Sequence, residues 1–547
     1  MAAPAPEQTR PHTQARYRLR LLERTAATGP AVRGPHDSAV AGVLAAALAL
    51  GVCELFAGLV PGVPSLVVAV GGVVVDGVPK PVKDLAIGLF GTADKPALLI
   101  GILLVSALAG ALIGRLAARR FTFGVVGIAL FGALGAAATL GDPQASVLAS
   151  VCVALLGVGA GIAALRRLLD VADGARPAGA AGPGARAQTV PAAGRRQFLS
   201  LATGVGVAAV LGAVAGRALE SSGNAVRAAR DAVSLPRAAR PLRAIPADRT
   251  APVDGVVPFV SPNDGFYRID TALVVPRVDP ATWRMGITGL VRKELSFSLD
   301  ELLAMELVEA DITLCCVSNE VGGDLIGNAR WLGVRLDSLL ERAGVDPRAT
   351  QVVGHSVDGW TAGFPAQLAL DGRDALVAVG MNGEPLPMQH GFPARLVVPG
   401  VYGYVSATKW LDRIELTTWE AFDGYWVPRG WSKEGPIKTQ SRIDVPRSNA
   451  RVAAGRTAVA GIAWAQHTGI DRVEVAIDGG AWQEANLAAE QHVDTWRQWW
   501  WDWDATPGEH VLAVRATDRT HTTQLEERRP VAPDGATGYH TVRVQVA

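Results

Sequence analysis

Residues 311–319, with the sequence DITLCCVSN, end an apolar run with two adjacent cysteines, Cys315 and Cys316. The chain of 547 residues has four cysteines, and the other two, Cys53 and Cys152, lie in strongly apolar segments. Adjacent cysteines rarely form a disulfide with each other, because the geometry strains the bond. The pair therefore contains either a metal ligand or nucleophile, or small buried side chains beside a turn.

The motifs that follow this stretch narrow the choice. They are, in chain order, GNARWLGV at 327–334, MNGEPLP at 381–387, HGFPARLVVPG at 390–400, YG at 402–403 and TKWL at 408–411. Together, over roughly residues 250–547, they resemble the sulfite oxidase family of molybdopterin enzymes, which includes the catalytic subunits of bacterial periplasmic sulfoxide reductases. The resemblance implies that Cys316, at the Leu-x-Cys position, donates a thiolate to molybdenum, whereas Cys315 occupies the variable position.

The resemblance also implies which residues bind the cofactor, a molybdenum-molybdopterin. A soft thiolate suits molybdenum, the pterin dithiolene supplies further sulfurs, and cationic side chains suit the pterin phosphate. The positions that match the family's pterin-binding histidine, arginine and lysine, their neighbours, and the early loop SPNDGFYR at 261–268 supply the candidates. We therefore expect the cofactor-binding residues to be Asn263, Tyr267, Arg268, Asp358, His390, Arg395, Ser406, Thr408 and Lys409.

The chain departs from the sulfite-oxidising members of the family at positions that concern the substrate. Those members carry arginines just after the asparagine of the cysteine motif, where this chain has Glu320 and Val321, and in the early loop, where it has Ser261. A tyrosine expected before residues 429–431 is replaced by Pro428. The cations that could compensate are Arg268, Arg429 and Lys433. Sulfite is a dianion that needs a cationic pocket, so we expect reduction of a sulfoxide or similar oxide, with sulfite dehydrogenation as the alternative.

The first 220 residues are strongly apolar, whereas the rest has ordinary globular polarity. The long apolar runs are 39–60, 96–114, 121–141, 145–165 and 198–216. Each is long enough to cross a hydrocarbon core of about 30 Å at about 1.5 Å per residue. The run 64–75 is too short to span, so we interpret it as re-entrant or surface-lying. The net charge of +1 gives no reason to expect a nucleic-acid partner.

Arginine distribution predicts the orientation in the cell membrane. The leader, the loop 115–120 and the linker 166–197 are rich in arginine, so the positive-inside rule places them in the cytoplasm. Five crossings then place everything after residue 218 outside. Arg195 and Arg196, followed by Phe198 and Leu199 in the last apolar run, resemble a twin-arginine export signal. This route carries folded proteins, so we expect the domain to cross with its cofactor already inserted.

The sequence predicts a multi-domain chain: an α-helical transmembrane bundle, an α+β sulfite-oxidase-like molybdopterin domain and an immunoglobulin-like β-sandwich. The predicted segments are a basic tail 1–38, a membrane region 39–165 with a re-entrant segment 62–92, a linker 166–197, a fifth helix 198–218, a tether 219–250, the molybdopterin domain 251–435 and the sandwich 436–547. Helical patterns appear at 300–307 and 336–343, and strand patterns at 457–464, 472–477, 510–516 and 540–546. The tryptophans between 496 and 503 are interpreted as strand and core packing.

These features predict a multi-pass membrane enzyme that transfers oxygen atoms outside the cell membrane. No histidine lies between residues 37 and 354, and no C-x-x-C-H motif is present, so we expect no haem or iron–sulfur cluster. The expected partners are a small-molecule substrate, the lipid bilayer, a separate electron carrier and a second copy bound through the C-terminal domain. The alternative of another class is a transporter or binding protein with an inactive molybdopterin-like domain.

Overall fold

The computed structural model describes residues 35–60, 62–79, 82, 85–86, 89–90, 93–174, 192–221 and 224–547. Most of the predicted basic tail, eight residues of the predicted re-entrant segment, residues 175–191 of the predicted linker and the side chain of Arg195 lie outside this description. The chain divides into two compact units, with the division at residues 222 and 223.

The first unit is helical. Its helices are α1 (Pro35–Leu59), α2 (Leu66–Gly77), α3 (Asp94–Arg119), α4 (Phe121–Ala138), α5 (Val147–Gly174) and α6 (Ala192–Ser221). Five helices of the described residues are long and apolar enough to cross a membrane: all of these except α2, with α4 continuing to Gly141. The sequence therefore predicted the apolar helices correctly. Helix α2, with 12 residues, is too short to span.

Glycines allow the helices of this unit to approach closely. A side chain at Gly42 or Gly114 would collide with backbone across the α1–α3 contact, and one at Gly58 or Gly216 would do so across the α1–α6 contact. Such close contacts between small residues are the usual way in which helices associate in lipid. The alanine- and glycine-rich composition of the first unit thus has a packing role.

Glu54 is a buried carboxylate on α1 with polar partners from two other segments. Its side chain accepts a hydrogen bond of 2.7 Å from Ser65 Oγ, and its Oε2 lies 3.6 Å from Arg217 Nε on α6. An ionisable group among apolar helices is costly unless it is paired. The pairing accounts for this carboxylate structurally.

The second unit begins with helices and strands that surround one large core. The helices are α7 (Asn224–Ala232), α8 (Leu299–Leu303), α9 (Leu336–Ala343) and α10 (Gly403–Ser406). The strands are β1 (Arg284–Gly289), β2 (Leu295–Ser298), β3 (Leu307–Cys315), β4 (Ile326–Arg335), β5 (Gln351–Ser356), β6 (Thr361–Pro365), β7 (Leu376–Met381), β8 (Glu384–Pro385), β9 (Arg395–Val397) and β10 (Leu411–Thr417).

These strands pair into two sheets. One sheet has the order β2-β1-β10-β5-β6, and the other has the order β3-β4-β7-β8 with β9 also paired to β7. Strands β3 and β4 pair antiparallel, and Cys315 lies opposite Ile326. The core contains the fully buried side chains of Met285, Trp331, Phe364, Phe392 and Trp410. Strand β3 therefore ends inside the unit, and Cys316 is the first residue after it.

Helix α8 is shorter than the predicted helix 300–307. Ser298 and Glu301 form a capping box that begins it, but Leu307 already belongs to strand β3. The apolar pattern of residues 302–307 fits either structure. The buried antiparallel pairing of β3 decides in favour of the strand.

The C-terminal part consists of two further sheets with a second core. Its strands are β11 (Gln440–Val445), β12 (Ala450–Val452), β13 (Gly455–Trp464), β14 (Ile470–Ile477), β15 (Gln483–Glu484), β16 (Asn486–Leu487), β17 (Arg497–Ala505), β18 (Gly508–Asp518) and β19 (His540–Val546). The sheet orders are β11-β13-β17-β16 and β12-β19-β18-β14-β15. Trp496, Trp499 and Trp503 are buried and Trp500 and Trp501 half-buried, so the tryptophan-rich segment packs as predicted.

Residues 224–250, predicted to belong to a tether, lie along the second unit. After α7, the backbone N–H of Ala239 donates to the Leu307 carbonyl at 2.8 Å, and that of Leu242 donates to the Glu309 carboxylate at 2.7 Å. Leu235 packs against the core. We call residues 224–250 the strap, because they form an ordered band beside strand β3.

Candidate active site

A cavity opens where loops from both of these sheets meet. Its lining residues come from the early loop, the end of β3, the turn after β5 and the segment 390–426: Phe266, Tyr267, Ile269, Asp270, Thr271, Cys316, Ser356, Asp358, Trp360, His390, Arg395, Gly403, Tyr404, Ala407, Lys409, Trp410 and Trp426. Cys316 is the cysteine of this wall.

The end of strand β3 places the two adjacent cysteines differently. Cys316 is held by a 2.9 Å hydrogen bond from its N–H to the Leu325 carbonyl, and its Sγ accepts one of 3.4 Å from Ser318 N–H. Cys315 is buried and its thiol donates to the Cys316 carbonyl at 3.5 Å. Both thiols are free. Cys315, the last residue of β3, belongs to the hydrophobic core, whereas Cys316, the residue after the strand, lines the cavity.

Arg395 is a buried cation in the cavity wall. Its guanidinium donates to the carbonyls of His390 at 3.1 Å and Ala407 at 3.4 Å, and lies 5.1 Å from the ring centroid of Trp331. Within the described part of the chain, no carboxylate lies within 4.0 Å of it. Burial lowers the pKa of Arg395 to about 10, so it is charged at neutral pH. The wall thus holds a positive charge that carbonyls and a ring, but no anion, stabilise.

Lys409 is the second cation of the wall, and it forms an ion pair with Asp270. The distance from Nζ to Oδ2 is 2.6 Å, and both side chains are at most 10% exposed. Burial lowers the pKa of Lys409 to about 8, although the Asp270 carboxylate acts in the opposite direction. Asp270 also accepts two hydrogen bonds from Arg268. Sequence reasoning missed Asp270, and only its position two residues after Arg268 hinted at it.

His390 is fixed from the early loop. Its Nε2 lies 3.0 Å from the Asn263 carbonyl, and its ring meets that of Phe266 edge-on at 5.5 Å. Burial, with a smaller contribution from the Arg395 charge, lowers the pKa of His390 to about 4. The imidazole is therefore neutral at pH 7. Tyr267, stacked on Phe266 at 5.2 Å, lies in the wall, and burial raises its pKa.

The remaining predicted residues divide into two groups. Asp358 lines the cavity and accepts a hydrogen bond of 3.1 Å from Trp360 N–H. The predicted residues outside the wall are Asn263, Arg268, Ser406 and Thr408. Ser406 Oγ donates to the Tyr402 carbonyl at 3.1 Å, which is a structural contact. The structure therefore brings Tyr267, Asp358, His390, Arg395 and Lys409 together with Cys316.

Much of the wall is aromatic, which the sequence motifs did not predict. Trp360, Tyr404 and Trp426 face the cavity together with Ile269, which is 49% exposed. Tyr404 is fixed by a 2.7 Å hydrogen bond from its hydroxyl to the Ser432 carbonyl. These residues come from separate loops without a shared motif, so no local signal marked them. The cavity has an apolar surface around a few charged groups.

The cations considered as replacements for the missing arginines have other contacts. Arg268 pairs with Asp270 at 2.8 Å. Lys433 pairs with Asp423 at 2.8 Å. Arg429 donates to the Tyr425 carbonyl at 2.7 Å. None of the three lies in the wall as the structure describes it.

Comparison with known proteins places these residues in a described family. A family model for the oxidoreductase molybdopterin binding domain matches residues 272–426. Mitochondrial sulfite oxidase of Rattus norvegicus is 31% identical over 340 residues, covering 53% of this chain and 62% of that protein. Sulfite oxidase of Gallus gallus is 30% identical over 325 residues, covering 50% of this chain and 70% of that protein. The chain spans 58% to 62% of the length of the rat, mouse and human mitochondrial relatives.

Among solved structures, the sulfane dehydrogenase SoxCD from Paracoccus pantotrophus is 25% identical, with a TM-score of 0.47. The match covers 54% of this chain and 82% of that one.

The cavity residues fit a molybdenum-molybdopterin cofactor. Cys316 supplies one soft sulfur, and the described residues contain no cluster of three or more His, Cys, Asp or Glu that would form a metal site without the cofactor's own sulfurs. Among the described residues, Ser356 Oγ of the wall is buried without a hydrogen-bond partner, which is unusual in a native interior. The part of the chain that the structure describes also gives Arg395 no carboxylate partner. A pterin with an anionic phosphate would satisfy such groups.

Proposed function

Because the chain belongs to the sulfite oxidase family of molybdopterin-dependent oxidoreductases, we propose that it transfers oxygen atoms at a molybdenum bound by Cys316. It is an enzyme, and its cofactor is molybdenum-molybdopterin. The observation that supports the proposal is the position of the Cys316 thiol in one cavity with the buried cations Arg395 and Lys409. Family membership argues against the alternative of a transporter with an inactive domain.

The proposed roles of the residues follow from their contacts. Arg395 and Lys409 would bind the anionic phosphate, and His390 and Tyr267 would hold the pterin through hydrogen bonds. Asp358 is the candidate for a hydrogen bond to a pterin N–H. When bound, the cofactor supplies a metal that changes its oxidation state as oxygen is transferred. The chain's part is to hold the thiolate, to position the substrate and to limit water among the aromatic side chains.

The charges of the wall favour a substrate without net charge, such as a sulfoxide. The charged lining residues are two cations and two carboxylates: Arg395, Lys409, Asp270 and Asp358. With the cations assigned to the cofactor, the wall offers no surplus positive charge to a dianion. Desolvation of an unpaired charge is costly, whereas a neutral oxide suits the apolar surface of Trp360 and Trp426. Sulfite oxidation is the second candidate, because the relatives of 30% to 31% identity are named sulfite oxidases.

The first prediction concerns this choice of substrate. For the full-length enzyme loaded with its cofactor, we expect kcat/KM for a neutral sulfoxide to exceed that for sulfite by about 100-fold, or about 2.8 kcal/mol. Steady-state assays with artificial electron donors and acceptors measure both. Asp358→Asn removes one negative charge from the wall. We expect it to lower the ratio of kcat/KM for the sulfoxide to kcat/KM for sulfite. Turnover of sulfite with a micromolar KM and none of sulfoxides would show the substrate assignment to be wrong.

The second prediction concerns the membrane. We propose that the five apolar helices anchor the enzyme, with the basic tail 1–38 and the linker 166–197 in the cytoplasm and residues 219–547 outside. The arginine asymmetry supports this orientation. A reporter active only outside the cytoplasm is expected to work when fused after Ala547 and to be silent when inserted at 175–191. The opposite pattern would contradict the topology.

The remaining parts of the proposal concern partners and assembly. A twin-arginine signal at Arg195 and Arg196 would let the loaded domain cross the membrane folded. Electrons would come from a separate carrier. The two C-terminal sheets, residues 436–547, are proposed to be an immunoglobulin-like domain through which two copies pair.

A further inference from the structure

We infer that Arg230, on the strap, is a positioning residue for the His390 side of the cofactor cavity. Arg230 lies N-terminal to the matched residues 272–426, and none of the sequence motifs includes it. The inference rests on the proposed placement of the cofactor in this cavity. It concerns how firmly the chain holds the cofactor.

The guanidinium of Arg230 binds three successive residues, the two of strand β8 and the one after it. Its Nε donates to the Leu386 carbonyl at 2.9 Å, and its Nη2 donates to the Pro385 carbonyl and to the Glu384 carboxylate at 3.0 Å. The Arg230 side chain is 15% exposed and that of Glu384 51%, so the two bonds to backbone carbonyls are better shielded from water than the ion pair. The planar guanidinium suits such a fork of acceptors better than an ammonium does. The segment held in this way continues directly into the short helical turn that carries His390.

Glu384 links Arg230 to the early loop, because its carboxylate binds both Arg230 and Asn263. Its Oε1 accepts a hydrogen bond of 2.6 Å from Asn263 Nδ2, while its Oε2 faces Arg230. Asn382 donates to Asn263 Oδ1 at 2.8 Å. The Asn263 carbonyl in turn lies 3.0 Å from His390 Nε2. Arg230 thus acts on His390 by two routes, through the segment that carries it and through the residue that orients its ring.

This network explains why Asn263 is not in the cavity wall. Its side chain is used by Glu384 and Asn382, and only its backbone carbonyl meets a wall residue, His390. Groups that orient residues at a cofactor are typically worth about 10- to 100-fold in affinity or activity. The strap therefore contributes to the cavity although no residue of it touches the cavity.

The experiment measures cofactor retention in the full-length protein purified in detergent. We expect Arg230→Ala to lose molybdenum and pterin on dialysis about tenfold faster than the unmodified protein. Arg227, exposed on the same helix, provides the matched control, and Arg227→Ala is expected to lose both at the unmodified rate. Arg230→Lys keeps the positive charge but not the forked set of donors. We expect its rate of cofactor loss to lie between those of Arg230→Ala and Arg227→Ala.

A purely structural role would lower the unfolding temperature without accelerating cofactor loss far below that temperature, and both are therefore measured. Equal retention by Arg230→Ala and Arg227→Ala would overturn the inference. If Arg230→Ala does not fold, unchanged retention in Arg230→Lys and in Glu384→Gln would overturn it. His390→Ala tests the underlying assignment separately. If His390→Ala retains the cofactor as firmly as the unmodified protein, the proposed cavity is wrong. If His390→Ala loses the cofactor faster and Arg230→Ala does not, only the role of Arg230 is contradicted.

Discussion

Replacement of Cys316 by serine is expected to lower oxidoreductase activity by more than about 100-fold. Even the groups that orient metal ligands are worth about 10- to 100-fold, and Cys316 is itself the proposed ligand. A hydroxyl is a harder and less easily ionised donor than a thiol, and it suits molybdenum less well. Steady-state activity and the ratio of molybdenum to protein measure the effect. Full activity in Cys316→Ser would show that this thiol is not the ligand.

Cys315→Ser is the matched control for this experiment. The Cys315 thiol is buried and donates to the Cys316 carbonyl, a bond that a serine hydroxyl can also form. We expect this variant to keep most of its activity and its molybdenum. A comparable loss in both variants would mean that the serine disturbs the end of β3 and that the comparison does not identify a ligand. The unfolding temperature of each variant distinguishes these cases.

Trp331→Ala is expected to lower the free energy of unfolding of the second unit by about 4 kcal/mol, within the range for buried tryptophan. Trp331 lies in β4, is fully buried, and donates from its indole to the Ile312 carbonyl at 3.1 Å. Its removal leaves a cavity and takes one hydrogen bond away from the Ile312 carbonyl. The Arg395 guanidinium, 5.1 Å from the ring centroid, also loses a favourable neighbour.

Urea unfolding followed by near-ultraviolet circular dichroism measures this effect. Trp482→Ala is the matched control, because Trp482 is half-buried and contacts Tyr539 and Arg515 in the C-terminal part. We expect its loss of stability to be less than half of that for Trp331→Ala. Trp331→Phe keeps a ring in the core. We expect its loss of stability to lie between those of Trp331→Ala and Trp482→Ala. An equal shift for Trp331→Ala and Trp482→Ala would show that burial of Trp331 does not dominate the stability of the core.

Local patterns predicted many helices and strands. The structure has helix 336–343 and strand 540–546 with the predicted bounds, since amphipathic period and alternation are properties of neighbouring residues. The prediction for 300–307 was only partly right, because Leu307 joins a strand whose partner β4 follows later in the chain. Local patterns are reliable only where tertiary pairing does not compete with them.

The candidate site also has residues that local motifs indicate and residues that only the tertiary structure brings in. The motifs identified Cys316, His390, Arg395 and Lys409, which the structure brings to one cavity. They also suggested Asn263, whose side chain lies outside the wall and contacts Glu384 and Asn382. They gave no sign of Trp360, Tyr404 and Trp426, because these come from separate loops and resemble ordinary core residues.

The sequence by itself determined the features that depend on composition and chain order. These are the apolar runs long enough to span a membrane, the position of a cysteine at the end of a buried strand, and the motif series of the family. Only the tertiary structure decided which distant groups meet. Lys409 pairs with Asp270 across 139 positions, and Arg230 reaches Glu384 across 154. The physical reason is that a buried charge is stabilised only by the groups that packing brings near it, and that neighbourhood exists only once the sheets have closed around their core.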